Sequence, residues 1–189
     1  MKKIGILFVG FLLMTIPIKV HAADTPAIGG KMDRGVSRVS TYIGEGATSF
    51  QTLIVRAADN WTSPGWASDV GFAYAPNSKG TMLDIYCYSK SYFGGNMRAN
   101  AETTWYDING KMIPWPRSGT YRYAKIVGNT DSLNTLAINV RTAVFAHEMG
   151  HAFGLDHNDA TTNSIMYGEA TKRALKVQKI DTNTVNRLY

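Results

Sequence analysis

Cysteine is almost missing from this chain. Cys87 is the only one among 189 residues, so no internal disulfide can form. It stands in Leu83-Asp84-Ile85-Tyr86-Cys87-Tyr88, an apolar and aromatic run that reads as a strand, and a buried structural thiol is expected there. Long hydrophobic runs are equally scarce. The one present, residues 4–16, follows Met1-Lys2-Lys3 and is broken by Pro17. It is shorter than the roughly 20 apolar residues that a membrane-spanning helix needs. With small residues around Val20-His21-Ala22-Ala23, residues 1–23 read as a secretory signal peptide cleaved after Ala22 or Ala23, with no cysteine there to carry a lipid. A secreted, soluble protein without a membrane span is expected.

Basic runs are lacking too. Removing Lys2, Lys3 and Lys19 with the leader lowers Lys plus Arg from 20 to 17 against 14 acids, leaving about +3. No stretch of positive charge points to nucleic acid. Internal repeats, low-complexity tracts and linkers are also missing, so the remaining chain suits one domain with a sizeable core, and no separate substrate-binding module is expected. Histidine is rare as well. Of four, His21 lies in the leader, and the other three fall within eleven residues, His147 to His157.

Those eleven residues read HEMGHAFGLDH. His147 and His151 are four apart and share one face of a helix, so their imidazoles can bind one zinc ion. Glu148 sits where a carboxylate can act on a water polarised by the metal. Gly154 tolerates the left-handed backbone that ends helices, letting the chain turn and bring His157 back as third ligand. Three protein ligands leave one position open, which marks a catalytic site; a closed structural site would take a fourth ligand. Met166 follows nine residues later, in Ser164-Ile165-Met166-Tyr167.

The rest of the chain reads as an α+β domain. Residues 36–43 suggest a first strand. Thr48 or Ser49 caps a helix with Phe50, Leu53, Ile54, Ala57 and Trp61 on one face. Strands follow at residues 70–74 and 82–88, joined by a Pro76–Gly80 loop. Residues 103–107 and 111–115 flank Asn109-Gly110, a strong hairpin signal, and residues 123–127 make the last strand. Ser132 to Asn134 offer caps for the long helix bearing the histidines, with Leu136, Val140, Val144 and Phe145 burying it. Val177 and Ile180 lead into a final helix.

The HExxHxxGxxH motif, the following Met166 and this element order resemble the metzincin zinc endopeptidases, most closely the matrixin branch. Ala57 and Trp61 in the first helix and the closing Arg187-Leu188-Tyr189 support the likeness. It implies a twisted mixed five-stranded sheet with three helices, and a zinc site between the long central helix and a C-terminal subdomain. It also implies one catalytic zinc on His147, His151 and His157, Glu148 as general base, and Met166 in a methionine turn beneath the metal. No other cofactor is expected. There are departures. Asn158 follows the third histidine where serine is usual, and Gly168 follows Met-Tyr where proline is usual. No further histidines remain for a second, structural zinc. Tyr167 lies one residue short of the tyrosine that assists the reaction in some relatives. Calcium is left open, since loops rich in Gly, Asn and Asp show no liganding pattern and turn chemistry accounts for them. Asp156 and Asp159 flank His157, either as outer-sphere partners of the metal site or as solvated loop acids.

These readings imply a monomeric endopeptidase acting on proteins or peptides outside the cell, with residues 36–189 as the catalytic domain. The strand beginning at Thr103 would form the rim that pairs with an extended substrate, and residues 165–168 would wall a specificity pocket that in matrixins takes an apolar side chain. The alternative is a zinc-stabilised extracellular binding protein with an idle site, for which Glu148 would be superfluous. Residues 24–35 are either a disordered start or a short pro-segment, with Asp24 or Asp33 available to block the zinc.

Overall fold

The computed structural model describes residues 23–116 and 118–189, so the leader expected at 1–23 lies almost wholly outside the described residues. The strands are β1 (Lys31–Met32), β2 (Val39–Ile43), β3 (Phe72–Tyr74), β4 (Leu83–Tyr88), β5 (Ala101–Tyr106), β6 (Met112–Ile113), β7 (Thr120–Tyr121) and β8 (Tyr123–Asn129). The helices are α1 (Gln51–Thr62), the single turn α2 (Thr130–Leu133), α3 (Ile138–Ala152) and α4 (Lys179–Leu188). The main sheet is mixed and ordered β3-β2-β4-β8-β5-β6. The first four of these strands run parallel, β5 runs antiparallel to β8, and β6 runs antiparallel to β5. The architecture is the expected α+β one with three long helices. The sheet has six strands among the described residues, not five, and its two edges, β3 and β6, are short, at three and two residues.

Local chemistry explains most of these elements. In α1, Ile54, Ala57, Ala58 and Trp61 recur at helical spacing and are buried. The Trp61 indole donates from Nε1 to the Ala146 carbonyl at 2.8 Å, fastening α1 to α3 one residue before His147. Helix α3 is different, with every residue from Thr142 to Ala152 buried. A helix enclosed on all sides shows no clear apolar stripe. Its start also differs from the sequence expectation. Asn129 caps the separate turn α2 by accepting from the Ser132 amide, and α3 begins only after Ala137 with no side-chain cap. The β5–β6 hairpin forms as expected around Gly110 (φ 76°), with the Gly110 amide donating to the Asp107 carbonyl. Cys87 is buried between β8 and the helices, and burial pushes its thiol up to about 12.

Residues 24–35 are hydrogen-bonded to distant parts of the chain. The Ile28 amide donates to Gly154, and the Thr25 amide to Ile180. Ala27 bridges Leu155, and β1 pairs with β7. Asp24 pairs with Arg187 at 2.8 Å and Asp33 with Arg122 at 2.7 Å. The segment is part of the domain that supports the site.

Candidate metal centre

Helix α3 brings His147 and His151 onto one face, and the chain reverses at Gly154 with φ 95°. A side chain there would collide with the Gly30 carbonyl as well as strain the backbone, so glycine is required twice over. The reversal returns His157 to the other two. The Nε2 atoms of His151 and His147 are 3.1 Å apart, and those of His151 and His157 are 3.3 Å apart.

Tautomers explain that close approach. His147 Nδ1 lies 2.8 Å from the Ile165 carbonyl and His151 Nδ1 lies 2.9 Å from the Leu155 carbonyl. A carbonyl only accepts, so each Nδ1 carries the proton and each Nε2 presents a lone pair inward. Facing lone pairs do not bond one another. They suit a cation, and zinc–nitrogen bonds of about 2.0–2.1 Å at tetrahedral angles set ligand nitrogens about 3.3 Å apart. The three histidines therefore could hold a metal ion. Their charge state agrees. Burial pushes His147 well below its ordinary value, His151 to about 4, and His157 down as well, leaving neutral imidazoles near neutral pH.

Glu148 is buried beside them. Its Oε2 accepts from the Thr103 hydroxyl of β5 at 2.7 Å. Burial raises its carboxyl above the usual range, opposed by that hydrogen bond and then by the charge of Arg173. The adjoining cleft, about 330 Å³, runs between β5 and the segment that follows the methionine turn, with Thr103, Trp115, Val144, Gly168 and Arg173 among its walls. Beyond Trp105 the edge of β5 pairs with β6, whereas Ala101 to Thr104 pair only with β8 among the described residues. That leaves a strand edge beside the cleft, as the rim reading expects.

Met166 is fully buried beneath α3. A Cβ on Gly150 would overlap its sulfur, so the glycine is what lets this turn approach the helix. The turn is held by Asp181, which accepts from Thr25 Oγ1 (2.5 Å), Ser164 Oγ (2.6 Å), the Ile165 amide (3.1 Å) and the Gln178 amide (2.8 Å). Ile165 thus donates to Asp181 and accepts from His147, a two-step link from scaffold to site. Asn158 serves the same framework, its amide donating to Met166 and its side chain to Thr25. Asp156 accepts from the His157 amide and Asp159 from the Gly168 amide, so both act as loop ties. Tyr167 is half-buried beside the turn, with its amide donating to the Ser164 carbonyl.

The structure therefore gathers the three histidines, Glu148 and Met166 in one place. Sequence reasoning missed Arg173, the Thr103 hydroxyl on Glu148, and the Asp181 network. Asp181 at the third position of a helix was the one available signal, as half of a capping box with Gln178. Residues 67–189 match the model of the M10 peptidase family, Matrixin. No curated protein matches the chain. The match spans about two thirds of the chain and includes every cleft residue named above, so the protein belongs to the matrixin family.

Proposed function

We propose that the protein is an exported, zinc-dependent endopeptidase that uses His147, His151 and His157 to hold the metal and Glu148 as its base. The observation carrying this reading is the convergence of three neutral Nε2 atoms beside a buried carboxylate at an open cleft. When bound, zinc supplies a Lewis acid that polarises the scissile carbonyl and brings the pKa of a water to roughly 7.

The chain's residues supply the rest. The Thr103 hydroxyl holds Oε2 of Glu148, which orients the carboxylate and leaves Oε1 to take a proton from the attacking water. Its raised pKa suits that task, because an acid poised nearer neutrality both accepts this proton and releases it to the departing amine. The free edge at Ala101–Thr104 would align an extended peptide by main-chain hydrogen bonds. Trp105 and Tyr121 donate to the His151 and Ala152 carbonyls, 3.1 and 2.8 Å, and fix the last turn of α3.

The test is metal content and cleavage of casein or quenched peptides by the purified mature chain, beside Glu148→Ala. One zinc per chain, with chelator-sensitive cleavage lost in the variant, is expected. A loss below tenfold in the variant would remove Glu148 as base. One zinc with no cleavage by the wild type would favour a zinc-stabilised binding protein.

A further inference from the structure

Among the described residues, Arg173 is the buried side chain with unmet hydrogen-bond donors. It lies in the segment between the methionine turn and α4 and is only 8% exposed. One nitrogen, Nη2, donates to the Gly168 carbonyl at 3.1 Å. Nε and Nη1 are buried and find no hydrogen-bond partner among the described residues. Among the described residues no carboxylate forms an ion pair with it. Glu148 feels its charge but makes no hydrogen bond to it, the Oε2 atom being held by Thr103. A buried guanidinium with open donors is costly, so its placement asks for a partner that arrives from outside.

The cleft supplies the route, because Arg173 lines it together with Gly168, Val144, His147, Glu148 and His157. The residue is also well anchored. Its amide donates to the Glu169 carbonyl, and the next amide, of Ala174, donates to the Ser164 carbonyl of the methionine turn. A guanidinium keeps its charge at neutral pH even when buried, and its planar fork matches a carboxylate with two parallel hydrogen bonds. A purely structural strut would have its donors met by carbonyls, as Arg141 does with those of Leu136 and Asn134.

We infer that Arg173 makes the pocket beside the metal centre a receptor for a carboxylate, so that the enzyme prefers an Asp or Glu side chain next to the scissile bond. The inference rests on the peptidase reading and replaces the apolar specificity that the family resemblance implies. Apolar side chains would leave both open nitrogens unmet, a carboxylate would take one edge of the fork, Nε with Nη2 or Nη1 with Nη2, and Lys or Arg would be repelled.

Quenched peptides capped at both ends, so that the varied side chain is their only carboxylate, test this. The residue on either side of the cleaved bond is set in turn to Glu, Asp, Gln, Leu or Lys. A charge-assisted pair predicts roughly 10- to 100-fold higher kcat/KM for Glu over Gln at one of the two positions, carried mainly by KM, with Lys poorest. Arg173→Met inverts the order to Leu over Glu, and Arg173→Lys keeps the acidic preference in weakened form. Thermal midpoint and zinc content identify any variant that does not fold, in which case the wild-type profile decides. Wild-type cleavage with Leu or Gln equal to Glu overturns the inference while the peptidase stands. If the wild type cuts nothing, calorimetry on the zinc-loaded chain decides: tighter binding of the Glu peptide than of its Gln twin upholds the carboxylate pocket, and equal binding overturns it.

Discussion

Two carboxylates are buried near the histidine cluster, Glu148 next to His147 in the chain and Asp181 joined to His147 through Ile165, and burial raises both above the ordinary carboxylate range. Asp181 has both oxygens filled, by two hydroxyls and two amides. Glu148 has one filled oxygen, and the other takes no hydrogen bond from the described residues. A saturated buried group holds its surroundings still, whereas an unsaturated one is available for chemistry. The same contrast separates Arg141, whose Nε and Nη2 are met by carbonyls, from Arg173, whose Nε and Nη1 are not.

Exchanging the two acids breaks the comparison most directly. Glu148→Gln lowers peptide cleavage by about 10²- to 10⁴-fold, while the urea midpoint of the zinc-loaded chain does not fall. Asp181→Ala does the reverse and destabilises the fold by about 3–5 kcal/mol, since four donors lose their acceptor. Equal effects of the two changes on urea unfolding would erase the distinction.

Acidity sharpens the comparison in the metal-free chain. His151 stays neutral down to about 4 when folded but takes up a proton near 6.5 when unfolded. The unfolded state therefore binds more protons between those values, and stability is lost as pH falls through that window. Asp181 and Glu148, with raised values, act in the opposite sense, so the measurement is a difference. Relative to His151→Asn, apo wild type should lose up to about 3 kcal/mol between pH 6.5 and 4, a shift worth 1.36 kcal/mol per pH unit. A parallel pair of unfolding curves would contradict it. The smallest effect is at Thr103. Its hydroxyl stabilises the ionised form of Glu148, so Thr103→Val moves the acidic limb of the kcat/KM profile to higher pH. Cleavage near neutrality falls a few-fold, on the scale of one hydrogen bond, about 1 kcal/mol.

The sequence made the histidine cluster legible because the motif encodes local spacing: four residues along a helix, a glycine reversal, then a return. The Asn109-Gly110 hairpin and the buried face of α1 were readable for the same reason. What escaped depends on partners far along the chain. Nothing near Arg173 distinguishes it from any loop arginine until Gly168 and the cleft surround it. β2 inserts between β3 and β4, although those two are neighbours in sequence, and no turn signal records an insertion. Helix α3 starts without a side-chain cap, and Ser132 serves another turn. The N-terminal segment looked loose because its hydrogen-bond partners lie more than 120 residues away, at Gly154 and Ile180.

The junction of Thr25 with Asp181 has a bearing on how the protein is made. It joins residues 156 apart, so the loop it closes encompasses nearly the whole domain, and such distant pairings form slowly. During synthesis the histidines emerge before α4, yet Ile165, which orients His147, is tethered only when Asp181 arrives. A nascent chain thus carries the ligands of a peptidase without the frame that aligns them. Pulse-labelled hydrogen exchange during refolding should find the Ile165 amide among the last to be protected, so competence comes with completion.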